Sequence, residues 1–218
     1  MIVGVTGMAG SGKDTFARRL TERHEFKKES FARRLKELCV RIFGWDMLGL
    51  DRLTYKEAPS NHSPIEWTGA MIDEIVCDQF ENAMLHEEAG FHLFKILSAI
   101  QPDWTRRQIL QWVGTEGFRP IDSEHWIKGT MHDVGRILRN FGARGVVIPD
   151  TRFPNEADAI RERNGIIVRV VREDQPTSIG AGHSSEQILT DVDYTVVAPG
   201  GQIQVLWDQA DAIVETFK

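Results

Sequence analysis

A glycine-rich turn between an apolar run and an amphipathic segment constrains this chain more than any other feature. It follows the β-branched run Ile2–Thr6 and reads G-M-A-G-S-G-K-D-T over residues 7–15. Glycines let the backbone curl so that successive N–H groups converge on an anion, and the next helix N-terminus adds partial positive charge. The complete spacing G-x-x-x-x-G-K predicts a nucleotide-binding phosphate loop, or P-loop. The candidate phosphate ligands are Gly10, Ser11, Gly12, Lys13, Asp14 and Thr15.

The residue after the loop lysine departs from the usual pattern. Many P-loop proteins have Ser or Thr there to bind Mg²⁺, whereas this chain has Asp14 and places Thr15 one position later. We therefore expect Thr15 to contact an α-phosphate and Asp14 to reach the metal directly or through water.

The order of apolar runs and amphipathic segments predicts the fold class. Short β-branched runs alternate with longer helical patterns, which is typical of parallel strands joined by crossover helices. We predict one three-layer α/β domain over residues 1–218, with a mostly helical substrate-binding insertion at 44–142 and a lid-like loop at 172–186. Strands are predicted near 2–6, 25–30, 145–150, 166–171 and 194–197, and helices near 13–23, 31–43, 65–80, 122–140, 154–163 and 203–217, with helical spacing over 91–113 that breaks near Pro102.

Composition and charge exclude several classes of protein. Lys and Arg total 26 against 32 Asp and Glu, a formal charge of −6, so a broad surface for a nucleic acid polymer is not expected. No apolar run approaches the roughly 18 residues of a membrane span. Cys39 and Cys77 lie among apolar residues at helical spacing and are interpreted as reduced core thiols of a cytoplasmic protein.

Two further stretches carry groups suited to phosphate. The first is Gly114–Arg119, followed closely by Trp126; the second runs from Ile148 to Glu156. An acid at a strand end beside a P-loop strand, here Asp150, is placed to bind a metal-bound water or orient a nucleophile. Arginines offer planar donors to phosphate oxygens, and an exposed Trp126 can stack on a base.

Five motifs together resemble one family. They are G-x-x-x-S-G-K-D-T, S-F-A-x-x-L-K-E from Ser30, G-T-E-x-x-R from Gly114, D-x-R-F-x-N-E from Asp150 and H-x-S-E from His183. In this order, over nearly the whole chain, they resemble the deoxynucleoside monophosphate kinases of tailed phages, which are P-loop kinases. Each motif alone, apart from the P-loop, has little specificity.

The resemblance implies an activity and a set of site residues. ATP would place its phosphates on Gly10–Thr15, and a deoxynucleoside 5′-monophosphate would occupy the facing cleft. The implied acceptor-site residues are Lys36, Arg119, Trp126, Arg152 and Glu156. Asp150 would face Mg²⁺, Arg172 would bind ATP as part of a closing lid, and the catalytic set would be Lys13, Arg119, Asp150 and Arg152.

One departure from the phage pattern affects charge. Those enzymes often have a basic residue inside the P-loop where this chain has Gly10. The charge that they place near the transferred phosphoryl group must come from elsewhere, and Arg119, Arg152 and Arg172 are the candidates.

Other functions and purely structural roles stay open at this point. The acceptor could be dephospho-coenzyme A or phosphomevalonate, or the chain could be a nucleotide-gated regulatory module without catalysis. Lys36 could lie on a solvated helix face, Asp150 could cap the helix after it, Trp126 could belong to the core, and His183–Glu186 could begin a helix. The histidines, His92 among them, show no metal-ligand spacing. A homodimer through segment 91–112 is possible.

Overall fold

The computed structural model describes residues 1–62, 65–80, 86–140, 142–174 and 189–217. The chain forms two compact units, one comprising Met1–Phe31 with Ile127–Lys218 and the other comprising Ala32–Trp126. Each unit has its own apolar core. We call them the sheet unit and the helical unit.

The sheet unit is built on five parallel strands in the order β2-β3-β1-β4-β5. Val and Ile dominate the inner strands, whose residues are almost all buried, as expected for a parallel sheet covered on both faces. The strands are β1 (Ile2–Thr6), β2 (Phe26–Lys28), β3 (Gly145–Ile148), β4 (Ile166–Arg172) and β5 (Tyr194–Ala198).

Helices cover both faces of this sheet. Alternate strand residues point to opposite faces, so Val3 and Val5 pack with helices α1 (Lys13–His24) and α9 (Ile203–Glu215). Ile2 and Ile148 pack on the other face, with α8 (Pro154–Arg161) and the sheet-unit residues of α7 (His125–Asn140). The three-layer α/β class predicted for a P-loop kinase is confirmed.

The helical unit buries a separate cluster of Leu, Ile, Val and aromatic side chains. Its elements are α2 (Arg33–Phe43), a 3₁₀ turn (Gly49–Asp51), α3 (Leu53–Glu57), α4 (Gly69–Gln79), α5 (His86–Ser98), α6 (Arg106–Gln111) and a π-helix (Trp112–Phe118). The predicted insertion boundaries, 44 and 142, differ from the limits of this unit and stay predictions.

Most element positions predicted from hydrophobic periodicity are confirmed. The sequence predicts no element for the 3₁₀ turn, for α3 or for most of the π-helix. One prediction differs from the structure, because Cys77 is exposed on α4 instead of buried. Cys39 is buried as predicted, and burial raises the pKa of its thiol.

The predicted lid-like loop lies mostly outside the described part of the chain. The structure does not describe its residues 175–186, which include the H-x-S-E motif.

None of the helices in the described ranges has both the length and the apolar character needed to cross a bilayer.

Candidate active site

The loop after β1 has the backbone geometry of an anion cradle. Gly7, Gly10 and Gly12 have φ angles of 144°, 77° and 102°, a region that side chains other than glycine rarely enter. A Cβ atom on Gly7 would also overlap the carbonyl oxygen of Val170 in β4. The loop therefore requires glycine at this position both for its turn and for its contact with the sheet.

Two side chains of the loop are prepared for a ligand. The Nζ of Lys13 donates to the carbonyl oxygen of Met8 at 2.9 Å, so the lysine folds back over the loop. Ser11 is buried, and its hydroxyl oxygen has no hydrogen-bond partner among the described residues. A buried hydroxyl without a partner costs free energy, which a phosphate oxygen would recover.

A cavity opens beside the loop and joins it to β4 and to the turn after β5. Arg172, at the end of β4, lines this cavity together with P-loop residues. The remaining wall comes from the Pro199–Gly201 turn and the start of α9. The residues that line it are Gly10, Ser11, Gly12, Thr15, Arg172, Ala198, Pro199, Gly200, Gly201, Gln202, Ile203 and Leu206.

The predicted metal-side acid lies at the carboxyl edge of the sheet and is hydrogen-bonded there. The carboxylate of Asp150 accepts from the Ser30 hydroxyl at 2.7 Å and from the Phe31 backbone N–H at 3.1 Å. The buried Glu29 accepts from the Ser30 N–H at 2.9 Å. Asp150 thus ties the end of β3 to the chain that follows β2.

The carboxylate of Glu156 caps the N-terminus of α8. Its side chain is buried, and its Oε2 accepts from the backbone N–H groups of Arg152 at 2.7 Å and Phe153 at 3.1 Å. A contact between Glu156 and an acceptor nucleotide stays a prediction. Glu156 holds the turn that carries Arg152, whose half-buried side chain lines a second cavity with Arg161 and Leu189.

Asp14, the other predicted metal ligand, is on the surface. Its side chain is 81% exposed, and its Oδ1 lies 3.8 Å from the Nζ of Lys28 at the end of β2. Nothing in the described residues gathers three or more His, Cys, Asp or Glu side chains into a metal-sized cluster.

Lys36, predicted for the acceptor site, is not on a freely solvated helix face. Its side chain is only 16% exposed, and Nζ contacts the Oδ1 of Asp51 at 2.7 Å. Asp51 belongs to the 3₁₀ turn of the helical unit. The carboxylate of Asp51 therefore fixes the position of the Lys36 ammonium group by a contact inside the helical unit.

The G-T-E-x-x-R motif lies on the π-helix, which ends at Phe118, just before Arg119. π-helical turns are rare and are frequent at functional sites. Gly114 is in close contact with α2, since a Cβ atom there would lie 2.6 Å from the Cδ2 of Leu35. The motif is thus packed against the residue that precedes Lys36, and Arg119 itself is half-buried.

The structure favours one of the two interpretations of Trp126. The sequence leaves open whether its indole stacks on a base or belongs to the core, and the residue is 4% exposed, with its ring packed on Phe118 at 5.0 Å between centroids. Its Nε1 donates to the Gly114 carbonyl at 3.2 Å. The indole is buried because it belongs to the apolar core of the helical unit. It therefore offers no exposed face on which a base could stack.

Several residues that the sequence did not single out support the predicted ones. They are Lys28, Glu29, Asp51, His92, Asp174 and Gly200. The Pro199-Gly200-Gly201 run directly after the last predicted strand could have identified Gly200, because Pro and Gly in succession predict a tight turn at the end of a strand. Lys28, Asp51 and His92 act through contacts distant in sequence, which no local pattern reveals.

Comparison with known proteins gives consistent matches. A family model described as deoxynucleotide monophosphate kinase matches residues 60–208. The chain is 28% identical over 213 residues to the deoxynucleoside-5′-monophosphate kinase of Escherichia phage T5, an alignment that covers 85% of this chain and 84% of that one. It is 27% identical over 183 residues to a protein of Acanthamoeba polyphaga mimivirus provisionally named deoxynucleotide monophosphate kinase, covering 79% and 74% of the two chains.

Proposed function

Because the chain belongs to the deoxynucleotide monophosphate kinase family, we propose that it transfers the γ-phosphoryl group of ATP to a deoxynucleoside 5′-monophosphate. The products are ADP and the deoxynucleoside diphosphate. Membership of this family agrees with the resemblance drawn from the five motifs, and the protein is a kinase.

The observation that carries the proposed ATP site is the cavity shared by the P-loop and Arg172. Main-chain N–H groups of the loop, Lys13 and the N-terminus of α1 supply positive potential on one side. Arg172 supplies a guanidinium on another wall of the same cavity. A triphosphate is the ligand that such a set of donors suits.

The chemistry needs positioning more than acid–base catalysis. An oxygen of the acceptor monophosphate attacks the γ-phosphorus, and the bond to the β,γ-bridging oxygen breaks, so that ADP leaves with that oxygen. A phosphate monoester is largely doubly ionised near neutral pH, because its second pKa is about 6. The acceptor therefore needs no general base, and Lys13 and the arginines stabilise charge on the transferred group.

The available oxygen donors suit Mg²⁺ as part of the bound nucleotide complex. This ion is usually held by one or two carboxylates together with substrate phosphates and water. Asp150, at the carboxyl edge beside β1, and Asp14, in the first turn of α1, are candidate carboxylate ligands, and Thr15 adds a hydroxyl. When bound, the metal would neutralise charge on the β- and γ-phosphate oxygens.

Three cations stay candidates for binding the acceptor nucleotide, and each is considered within its own unit. Lys36 and Arg119 belong to the helical unit, where Lys36 contacts Asp51. Arg152 belongs to the sheet unit, where Glu156 fixes its backbone. Trp126 then acts by supporting the π-helix and not by stacking.

An acceptor panel tests the function. We expect ADP release from ATP and Mg²⁺ to be stimulated by at least one of dAMP, dGMP, dCMP and dTMP, and only weakly by dephospho-coenzyme A or phosphomevalonate. The Lys13→Ala variant is the control for contaminating kinases. Tight ATP binding without release of ADP for any acceptor would favour the regulatory module, and release driven by dephospho-coenzyme A alone would favour the other kinase class. A homodimer and a cytoplasmic location stay predictions.

A further inference from the structure

The carboxylate of Asp174 connects Arg172 with the Pro199–Gly201 turn, and both of these line the cavity beside the P-loop. The Oδ1 of Asp174 accepts from the Nε of Arg172 at 3.0 Å and from the backbone N–H of Gly200 at 2.8 Å. Its Oδ2 accepts from the Nη2 of Arg172 at 3.1 Å. Asp174 does not line the cavity, yet it holds both a side chain and a turn that do.

The Gly200 turn fits this carboxylate closely. A Cβ atom on Gly200 would lie 2.6 and 2.8 Å from the two carboxylate oxygens of Asp174 and 2.9 Å from the Nε of Arg172. Only glycine lets the backbone approach this near. The next residue, Gly201, has a φ of 81°, so the turn also depends on glycine for its conformation.

The pairing leaves one side of the guanidinium available. Asp174 engages Nε and Nη2, and none of the contacts among the described residues uses Nη1 of Arg172. A guanidinium held along one edge presents its remaining donors in a fixed plane, which suits a phosphate oxygen. Holding these donors before the ligand arrives reduces the entropy lost on binding.

We propose that Asp174 is a positioning residue of the donor-nucleotide site, which orients Arg172 and the Pro199–Gly201 turn for ATP. The inference rests on the proposed function, since it takes ATP to be the occupant of the cavity. It adds a residue that belongs to none of the motifs and that touches no nucleotide itself.

The ionisation of Asp174 is consistent with this role. The hydrogen bond from Arg172, and next the N–H of Gly200, lower the pKa of this carboxyl from 3.8 to about 2. The carboxylate is thus charged at every pH at which a kinase is normally assayed. Its effect on ATP binding should not vary between pH 6 and 9.

The test is the affinity for ATP, measured by calorimetry on Asp174→Ala and Asp174→Asn, beside steady-state kinetics. We expect the dissociation constant for ATP to rise about tenfold in Asp174→Ala, as for loss of charge-assisted hydrogen bonds. Asp174→Asn keeps an acceptor for the Gly200 N–H and should lose less. The KM for the deoxynucleotide and the melting temperature should change little.

A matched control removes a similar surface ion pair elsewhere. Asp78 pairs with Arg41 at 2.9 Å in the helical unit, so Asp78→Ala should leave ATP affinity unchanged. Unchanged ATP affinity in Asp174→Ala would overturn the proposal, as would equal weakening toward ATP and deoxynucleotide accompanied by a lower melting temperature. If the wild-type protein binds ATP but phosphorylates no deoxynucleotide, the proposed function fails, while the calorimetric comparison still decides the role of Asp174.

Discussion

The indole Nε1 of Trp126 donates a hydrogen bond of 3.2 Å to the carbonyl oxygen of Gly114, inside the π-helix that carries the G-T-E-x-x-R motif. A second carbonyl of this helix, that of Glu116, accepts from the Nε2 of His92 at 2.8 Å. Side-chain donors from α5 and α7 therefore bond to the main chain of the π-helix. Because Arg119 directly follows that helix, its backbone position depends on these bonds.

The Trp126→Phe variant tests this dependence. It keeps an aromatic ring in the core but removes the N–H, so the buried Gly114 carbonyl loses its donor, at a cost of about 1–3 kcal/mol. We expect the KM for the deoxynucleotide to rise several-fold while the KM for ATP stays near the wild-type value. Kinetics with each substrate varied in turn provide the measurement. Equal changes in both constants would mean that Trp126 serves only general stability.

His92 offers an independent test of the same helix. His92→Leu removes the donor to Glu116, whereas His92→Gln retains an N–H that can replace it. We expect a several-fold increase in deoxynucleotide KM for the leucine variant and substantial recovery for the glutamine variant. If both variants behave alike, the hydrogen bond does not position the motif.

Lys13→Ala tests the assignment of the P-loop. Lys13 is half-buried, donates to the Met8 carbonyl of its own loop and is not part of the apolar clusters, so its loss should leave the core intact. We expect kcat/KM to fall about 100-fold or more, because charge on the transferred phosphoryl loses a preorganised partner. The melting temperature should be within a few degrees of wild type. Lys27→Ala, an exposed lysine on β2, is the control and should keep full activity.

Arg119→Ala separates the acceptor from the donor. If Arg119 binds the acceptor phosphate, its removal should raise the KM for the deoxynucleotide about tenfold or more and that for ATP far less. The two KM values, measured with the other substrate saturating, decide the matter. Equal effects on both would place Arg119 outside the acceptor site.

The fold was largely predictable because its signals are local. The buried run Ile2–Thr6 and the glycines after it define a strand and a loop within fifteen residues, and the parallel orientation of the strands follows from their alternation with helices. The P-loop itself depends on backbone conformations that only glycine adopts readily. Such features are visible in a single stretch of sequence.

The parts of the site that were not predictable depend on distant contacts. The apolar residues at helical spacing around Trp126 are compatible with a core position and with a surface position. Only its packing against Phe118 in the structure shows that the indole belongs to the core. Glu156 belongs to a motif, but its carboxylate turns back to two backbone N–H groups. Asp174 and Gly200 are 26 residues apart, and no local pattern connects them.

Acid stability provides a further test, through a cluster behind the P-loop helix. Asp211 on α9 accepts hydrogen bonds from the Nε and Nη2 of Arg19 at 2.9 and 2.5 Å, and its Oδ1 lies 2.7 Å from the Nε2 of the buried His24. The Arg19 hydrogen bond is the main cause, and the His24 bond a smaller one, of a lowered pKa for Asp211, from 3.8 to about 2. The cluster thus links α1 to α9.

A lowered carboxyl pKa stabilises the fold above the unfolded-state value and ceases to do so as pH falls through the folded-state value. The contribution of Asp211 should therefore be complete above about pH 4 and disappear toward pH 2. We expect Asp211→Asn to reduce the free energy of unfolding at pH 7 by on the order of 1–2 kcal/mol and to make it less dependent on pH in this window. Urea unfolding of both proteins between pH 2 and 7 measures the difference. Parallel pH profiles would show that Asp211 does not link proton binding to stability, because removing its carboxyl must remove its share of the slope.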